Sequence, residues 1–175
     1  MASILKSSHV ISSEVKFDNL LISMLNIIFE NSGADCGAII VKDEKFGVCA
    51  YGCQNQPITT YDPPKPLNEA DHLVSSKIIN HTIHTGESIF IHNIKKDSRF
   101  AVGRWFERVG EKSVICMPII HKCSTVGCLL IEGTVGVFTR RHITVLSLLC
   151  QQMGISTTNA FLFKSVQRAT MANMR

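Results

Sequence analysis

The chain has 175 residues, of which 45% are hydrophobic and 18% charged, a balance that is typical of a globular protein and excludes a disordered one. The length favours a single domain with its own core. The formal net charge is +4, but the basic residues are spread along the chain, which argues against nucleic-acid binding.

The seven cysteines are an odd number and are scattered through apolar runs. A secreted disulfide scaffold would be expected to have an even number in a short, loop-rich chain. The first 13 residues lack the apolar stretch of a secretory signal, and no run reaches the ~18 apolar residues of a membrane span. We therefore expect a cytoplasmic protein with reduced thiols and no membrane contact.

The first half of the chain predicts a helix followed by a hairpin and a loop. After an N-terminal tail at 1–13, apolar residues recur at helical spacing from 13 to 33. Two β-rich runs, 36–42 and 45–53, predict a hairpin. Residues 54–70 are rich in proline and predict a loop without regular structure.

The second half predicts a short helix at 73–85, a strand at 88–93, and a short helix or irregular segment at 98–110. A second hairpin is expected from the runs 113–120 and 124–133. Both faces of the first of these runs are apolar, which indicates a strand covered on both sides.

The last predicted element is a long helix from Arg140 to about Gln167, of roughly 40 Å at 1.5 Å per residue. That length exceeds what a domain of this size needs to cover its core. We expect the end of this helix to project and to connect with another module, with residues 168–175 as the start of a linker.

Four potential metal ligands fall close together in the second hairpin: Cys116, His121, Cys123 and Cys128. Their spacing lacks the C-x₂-C pairs of structural zinc sites, and thiols on apolar strand faces act as small hydrophobes. His81 and His84 lie three apart, whereas zinc pairs on helices more often use a spacing of four. We therefore predict no metal site.

Two cysteines are candidates for a peroxide-responsive thiol. Cys53 lies at the mouth of the proline-rich loop. Cys123 lies in a turn after His121 and Lys122, whose positive charge favours a thiolate. Cys49 and Cys53 share a strand face about 13 Å apart, too far for a disulfide with each other.

Five phrases of the sequence stand out together with the order of the predicted elements: "NLLISMLNIIFENSGADCGAIIV", "IINHTIHTGESIFIHN", "EKSVICMPIIHKCSTVGCLLIEG", "GVFTRRHITVLSLLCQQMGISTTNAFLF" and "KSVQRAT". With that order, they resemble the GAF domain, a small-molecule-sensing relative of PAS. The similarity covers most of the chain. Within the family, the chain most resembles the GAF domain of fungal hybrid histidine kinases, in which protein-kinase-like and ATPase-like regions precede the GAF domain.

The resemblance implies an α/β (α+β) fold for residues 14–167. A central antiparallel sheet of five to six strands would carry helices on both faces, and the long C-terminal helix would transmit the signal. GAF ligands usually lie between the sheet and the elements that precede the fourth strand. The candidate pocket residues are His84, Phe90, His92, Phe100, Trp105, Phe106 and Cys116. A plain aromatic core is the alternative for this set.

The resemblance disfavours two ligands without naming another. The stretch "NIKKD" at 93–97 does not match the Asn-Lys-Phe-Asp-Glu signature of cyclic-nucleotide-binding GAF domains. None of the cysteines has the adjacent histidine that is common in bilin-binding GAF domains. The cofactor therefore stays unassigned.

The implied function is a regulatory sensor, without catalytic residues of its own, in a cytoplasmic hybrid histidine kinase of a stress- or redox-responsive phosphorelay. The implied partners are a second copy, joined through the first and last helices, and a downstream histidine-kinase module. One alternative is a ligand-free dimerisation scaffold. Another is a free methionine sulfoxide reductase, for which Cys49, Cys116 and Cys123 could act, although "RVGEKS" lacks that family's cysteine before the fourth strand.

Overall fold

The computed structural model describes the backbone of residues 2–173 and the side chains of residues 17–160. Four α-helices and six strands of the described residues form one layered unit. The strands are β1 (Cys36–Asp43), β2 (Lys45–Cys53), β3 (Thr59–Pro66), β4 (Ile89–Ile91), β5 (Ser113–His121) and β6 (Ser124–Gly133). The helices are α1 (Ala2–Ser32), α2 (Ser76–Thr85), α3 (Gly103–Val109) and α4 (Arg140–Asn173).

The six strands form one antiparallel sheet in the order β3-β2-β1-β6-β5-β4. The two predicted hairpins, β1–β2 and β5–β6, are joined by the pairing of β1 with β6. This arrangement confirms the predicted class and strand number.

One face of the sheet is covered by α1 and α4, which pack against each other. Leu21, Leu25 and Ile28 of α1 lie at the spacing of one helical stripe and are fully buried. Leu146 and Met153 of α4 contribute to the same core. This cluster forms the apolar layer between the helix pair and the sheet.

The opposite face is covered by α2, α3 and their flanking loops. Ser75 caps α2 by accepting a hydrogen bond from the Ile78 amide at 3.2 Å, and Gly86 ends the helix in the left-handed conformation. Ile78 and Ile79 pack there with Trp105 of α3. Helices therefore lie on both faces of the sheet, as predicted.

The prediction of a structureless loop at 54–70 is wrong for its centre, because residues 59–66 form β3. This strand pairs only with β2 and lies at the edge of the sheet. The paired residues include Thr60 and Lys65, and Pro63 and Pro64 fall between them. An edge strand tolerates prolines at such positions because no second neighbour needs their amide protons.

The predicted start of the first helix is also wrong, because α1 already begins at Ala2 rather than at residue 13. The expected tail contains no glycine or proline that would break a helix. At the other end α4 continues to Asn173, beyond the expected Gln167. Residues 174–175 of the expected linker lie outside the described residues.

Among the residues that the structure describes, no helix is long and apolar enough to cross a membrane.

Candidate functional site

The residues predicted to line a ligand pocket lie in different parts of the fold. Phe100, Trp105 and Cys116 are buried in the core beneath α2 and α3, and Phe106 packs at its margin. His84 is exposed at the end of α2, with Nδ1 2.6 Å from the carbonyl oxygen of Asn80. These positions place three of the seven residues inside the core.

Phe90 and His92 lie elsewhere, in a surface cleft of about 210 Å³. Phe138 and Ile143, which lead into and begin α4, line the same cleft. Phe90 is half exposed, at 51%. A common ligand pocket for all seven residues remains a prediction.

The most distinctive chemical feature is a disulfide between Cys36 and Cys53. The two residues lie directly opposite each other on β1 and β2, with their Cα atoms 4.0 Å apart. The expectation that all thiols are reduced is therefore wrong for this pair. Cys53 was nominated as a redox residue from sequence, whereas Cys36 was not, because the two cysteines are 17 residues apart and meet only through the hairpin register.

A β-bulge determines which residues of the hairpin face each other. The register shifts by one residue between Ile39 and Ile40: Ile39 lies opposite Ala50 and Ile40 opposite Val48, so that Cys49 is the extra residue of the bulge. Without that shift, Cys36 would face Gly52 instead of Cys53. Bulges commonly reorient side chains next to functional sites.

Polar side chains surround the disulfide. The Tyr51 hydroxyl oxygen lies 3.5 Å from the Cys53 sulfur. The Arg108 guanidinium lies 6.0 Å from the centre of the Tyr51 ring. On the other side, Glu132 of β6 is the direct cross-strand neighbour of Cys36. The disulfide thus lies between a phenol and a carboxyl group that share one arginine.

Arg108 connects this cluster to the loop before α2. Its Nη1 lies 3.5 Å from Glu132 Oε1, while Nε and Nη2 donate to the carbonyl oxygens of His72 and Leu73 at 2.8 and 3.3 Å. The arginine is partly exposed, whereas the Glu132 side chain is 8% exposed. One side chain therefore links the loop to the buried carboxyl group.

Burial raises the pKa of Glu132, and Arg108 is the main opposing influence. The Trp105 indole N–H makes no hydrogen bond of standard geometry within the described residues, yet it is close enough to favour the carboxylate form. The pKa of Tyr51 is also raised, chiefly by burial, with Arg108 lowering it. Desolvation therefore outweighs the nearby positive charge at both groups.

A small cavity of about 10 Å³ lies beside the disulfide. Cys36, Tyr51, Trp105 and Glu132 are among its lining residues. That volume corresponds to about one water-sized molecule, which is far smaller than the several hundred Å³ of a drug-sized ligand site.

The remaining thiols fall into two classes. Cys123 is exposed in the two-residue turn between β5 and β6. Cys128 and Cys150 are buried; burial raises the pKa of Cys128 well above its usual value and that of Cys150 to about 12. Among the described residues no group of three His, Cys, Asp or Glu side chains could hold a metal ion.

A close contact joins the sheet to the C-terminal helix at Gly154. A Cβ atom at this position would lie 2.5 Å from the carbonyl oxygen of Ile120 in β5. The absence of a side chain therefore lets α4 lie directly on the sheet. Sequence reasoning missed Gly154, Arg108 and Glu132, because only the folded structure shows which distant residue each of them meets.

Comparison with known proteins agrees with this architecture. A family model described as "GAF domain" matches residues 16–156. The chain is 32% identical over 177 residues to the peroxide stress-activated histidine kinase mak3 of Schizosaccharomyces pombe. The alignment covers 99% of this chain but only 7% of that protein, so the chain spans a small part of its relative.

Solved structures show the same fold at low sequence identity. The GAF domain of a phosphoenolpyruvate-protein phosphotransferase from Coxiella burnetii matches with a TM-score of 0.64 at 15% identity, covering 92% of this chain and 96% of that one. A type II free methionine-R-sulfoxide reductase from Thermoplasma acidophilum matches with a TM-score of 0.59 at 12% identity, covering 81% and 92%. The family match extends over most of the chain, and the chain therefore belongs to the GAF domain family.

Proposed function

We propose that this chain is the regulatory sensor domain of a cytoplasmic hybrid histidine kinase that signals through a phosphorelay. The similarity to a kinase named for activation by peroxide stress supports this role. A downstream histidine-kinase module is the expected partner, and the sensor domain itself performs no catalysis. The stimulus acts on the sheet and its helical cover, and α4 carries the response out of the domain.

The contact between Gly154 and Ile120 is the observation that carries this proposal. A shift of β5 toward α4 at Ile120 would displace the helix, because the helix lies against the strand backbone there without an intervening side chain. Since α4 continues to Asn173, a shift at this contact would be passed along the part of the helix that follows Gly154. Packed contacts of this kind change between discrete arrangements rather than deforming continuously, as a helix that switches a kinase between two states requires.

Homodimerisation through the first and last helices is part of the proposal. Ile27 of α1 and Leu148 and Ile155 of α4 are large apolar side chains that are 41%, 58% and 49% exposed. Leu148 and Ile155 are seven residues apart and therefore share one face of α4. A second copy of the chain would cover these residues.

The alternative reductase function has less support in the positions of its nominated thiols. Cys49 and Cys116 are buried in the two core clusters, whereas a catalytic thiolate needs access to its substrate. Cys123 is exposed but stands apart from both in a hairpin turn.

The proposal is tested by removing the sensing part of the domain within the kinase that contains it. Residues 34–138 are replaced by a short Gly-Ser linker, so that α1 and α4 remain. We expect autophosphorylation to become independent of peroxide, while the unmodified kinase responds. An unchanged peroxide response in the deleted form would refute a sensory role for this domain.

A further inference from the structure

We infer that Cys36 and Cys53 form a reversible dithiol–disulfide couple that hydrogen peroxide oxidises, with Cys53 as the attacking thiol and Cys36 as the resolving thiol. This inference deepens the proposed sensor function and rests on it for its consequence in signalling. Its chemistry can be tested on the chain alone.

The geometry makes an intramolecular bond available without rearrangement. The two residues are cross-strand partners, both are only partly buried, and their Cα atoms are 4.0 Å apart. The strand ends are fixed by backbone hydrogen bonds, from the Gln54 amide to the Asp35 carbonyl at 2.7 Å and from the Asp35 amide to the Glu132 carbonyl at 2.8 Å. Reduced thiols at these positions would therefore stay adjacent.

The surroundings distinguish the two thiols. The Tyr51 hydroxyl lies 3.5 Å from the Cys53 sulfur and can donate a hydrogen bond to a thiolate there, with the Arg108 guanidinium over the Tyr51 ring. Cys36 instead lies opposite Glu132 of β6, and above the raised pKa of Glu132 its carboxylate disfavours a second negative charge nearby. Hydrogen bonding and charge thus favour the thiolate at Cys53.

The reaction balances with hydrogen peroxide as the oxidant. The Cys53 thiolate attacks one oxygen, the O–O bond breaks, and hydroxide leaves and takes up the thiol proton to become water, giving a sulfenic acid at Cys53. The Cys36 thiol then attacks the Cys53 sulfur, and the S–O bond breaks with release of a second water and formation of the disulfide. A thioredoxin-type dithiol reverses the reaction, because its two thiols are oxidised to a disulfide as Cys36 and Cys53 are reduced.

A route from this couple to the signalling helices is visible in the packing. Gly37, next to Cys36, lies beneath α1: an added Cβ would be in ordinary van der Waals contact with Leu25 at 3.4 Å and Phe29 at 3.5 Å. Because α1 packs along α4, a change at the start of β1 is transmitted to the helix pair.

The test begins with the reduced 175-residue chain and one equivalent of hydrogen peroxide. Intact mass should show the loss of two hydrogen atoms, peptide mapping should place the bond between Cys36 and Cys53, and dithiothreitol should restore both thiols in the folded protein. Cys123→Ser, the matched surface control, should be oxidised at the same rate. An oxygen adduct on Cys123 with Cys36 and Cys53 still reduced would overturn the inference, as would a bond that dithiothreitol cannot open without unfolding.

Variants then separate the roles of the two cysteines. With Cys36→Ser we expect a dimedone-trapped sulfenic acid at Cys53, and with Cys53→Ser no trapped product at Cys36. Trapping at Cys36 alone would overturn the assignment. Circular dichroism establishes that each variant is folded. The mass measurement on the unmodified chain tests disulfide formation even if a variant fails to fold.

Tyr51→Phe tests the positioning residue. Loss of its hydroxyl should slow oxidation about tenfold near neutral pH, because the thiolate at Cys53 loses a hydrogen-bond donor, and should move the pH–rate profile to higher pH. An unchanged profile would overturn the role assigned to Tyr51.

In the kinase, a peroxide response that survives Cys36→Ser/Cys53→Ser would show that the sensor uses another trigger. Loss of the response on deletion of 34–138 would still support the sensor function.

Discussion

Gly154 of α4 lies directly against the carbonyl oxygen of Ile120 in β5, at a distance that leaves no room for a side chain. Helices usually cover a sheet through interlocking side chains, but here a helix backbone contacts a strand backbone. The proposed sensor function uses this contact to couple movement of the strand to movement of α4.

We expect Gly154→Ala to force α4 away from β5, because the added Cβ would be 2.5 Å from the Ile120 oxygen. The free energy of unfolding should fall by about 1–3 kcal/mol, as for overpacked cores, even though alanine is the better helix former. Urea denaturation measures this change. The control Asn159→Ala, at an exposed position of the same helix, should be neutral or slightly stabilising. Equal effects of both substitutions would contradict the close contact.

The hairpins, the helical cover and the long last helix could be predicted from sequence because each depends on local apolar periodicity. The pairing of Cys36 with Cys53 could not. Both strands were expected, but a regular two-stranded register would have placed Gly52 opposite Cys36. One bulge residue, Cys49, changes every partner beyond it, and the sequence carries no strong local signal for a bulge.

The same limit applies to the Arg108–Glu132 contact, which joins residues 24 positions apart. Each residue taken alone resembles an ordinary charged side chain. The prolines led to the wrong prediction of a loop, because they are excluded from central strands. The strand at 59–66 lies at the edge of the sheet, where prolines are tolerated.

Thiol labelling should separate the cysteines by burial. Cys123 is exposed and should react rapidly with iodoacetamide in the native protein. Cys128 and Cys150 should stay unlabelled until the protein unfolds, because burial raises the pKa of both and blocks the reagent. Peptide mass mapping after timed labelling measures the three rates. Rapid labelling of Cys150 in folded protein would contradict its burial.

The disulfide should stabilise the folded protein by about 3 kcal/mol, because it closes a loop over a sequence separation of 17 residues and so restricts the unfolded chain. The oxidised chain is compared with Cys36→Ser/Cys53→Ser in guanidinium unfolding, with Cys123→Ser as the matched control. We expect the control to match the unmodified chain. A double variant as stable as the oxidised chain would show that the bond does not form.

The buried carboxyl group of Glu132 predicts a defined pH dependence. Its pKa is raised above the ordinary value of 4.5, so the folded state binds its proton more tightly than the unfolded state. This contribution to stability is fully present below the unfolded pKa and is lost as the pH rises through the folded pKa. Glu132→Gln lacks this titration, so its stability relative to the unmodified protein should increase as the pH rises above the ordinary value of 4.5. Urea unfolding across this range measures the difference, and a pH-independent difference would contradict the raised pKa.

The proposed dimer predicts that a charge at Leu148 weakens association. Leu148→Glu should shift the chain toward monomer, because a carboxylate would be desolvated in an apolar interface. Ser147→Glu adds the same charge about 100° around α4 and should have the smaller effect. Sedimentation equilibrium measures both. Identical association of all three proteins would contradict an interface at this face.

The sensor account is tested most directly by changing the rotational phase of α4 in the kinase that contains this domain. Inserting one residue after Val166 rotates everything beyond it by about 100°, whereas inserting seven residues restores the phase to within about 20°. The measurement is autophosphorylation with and without peroxide. Transmission through α4 predicts that one inserted residue abolishes or inverts the peroxide response and that seven residues preserve it. Equal responses in both insertions and in the unmodified kinase would contradict the account.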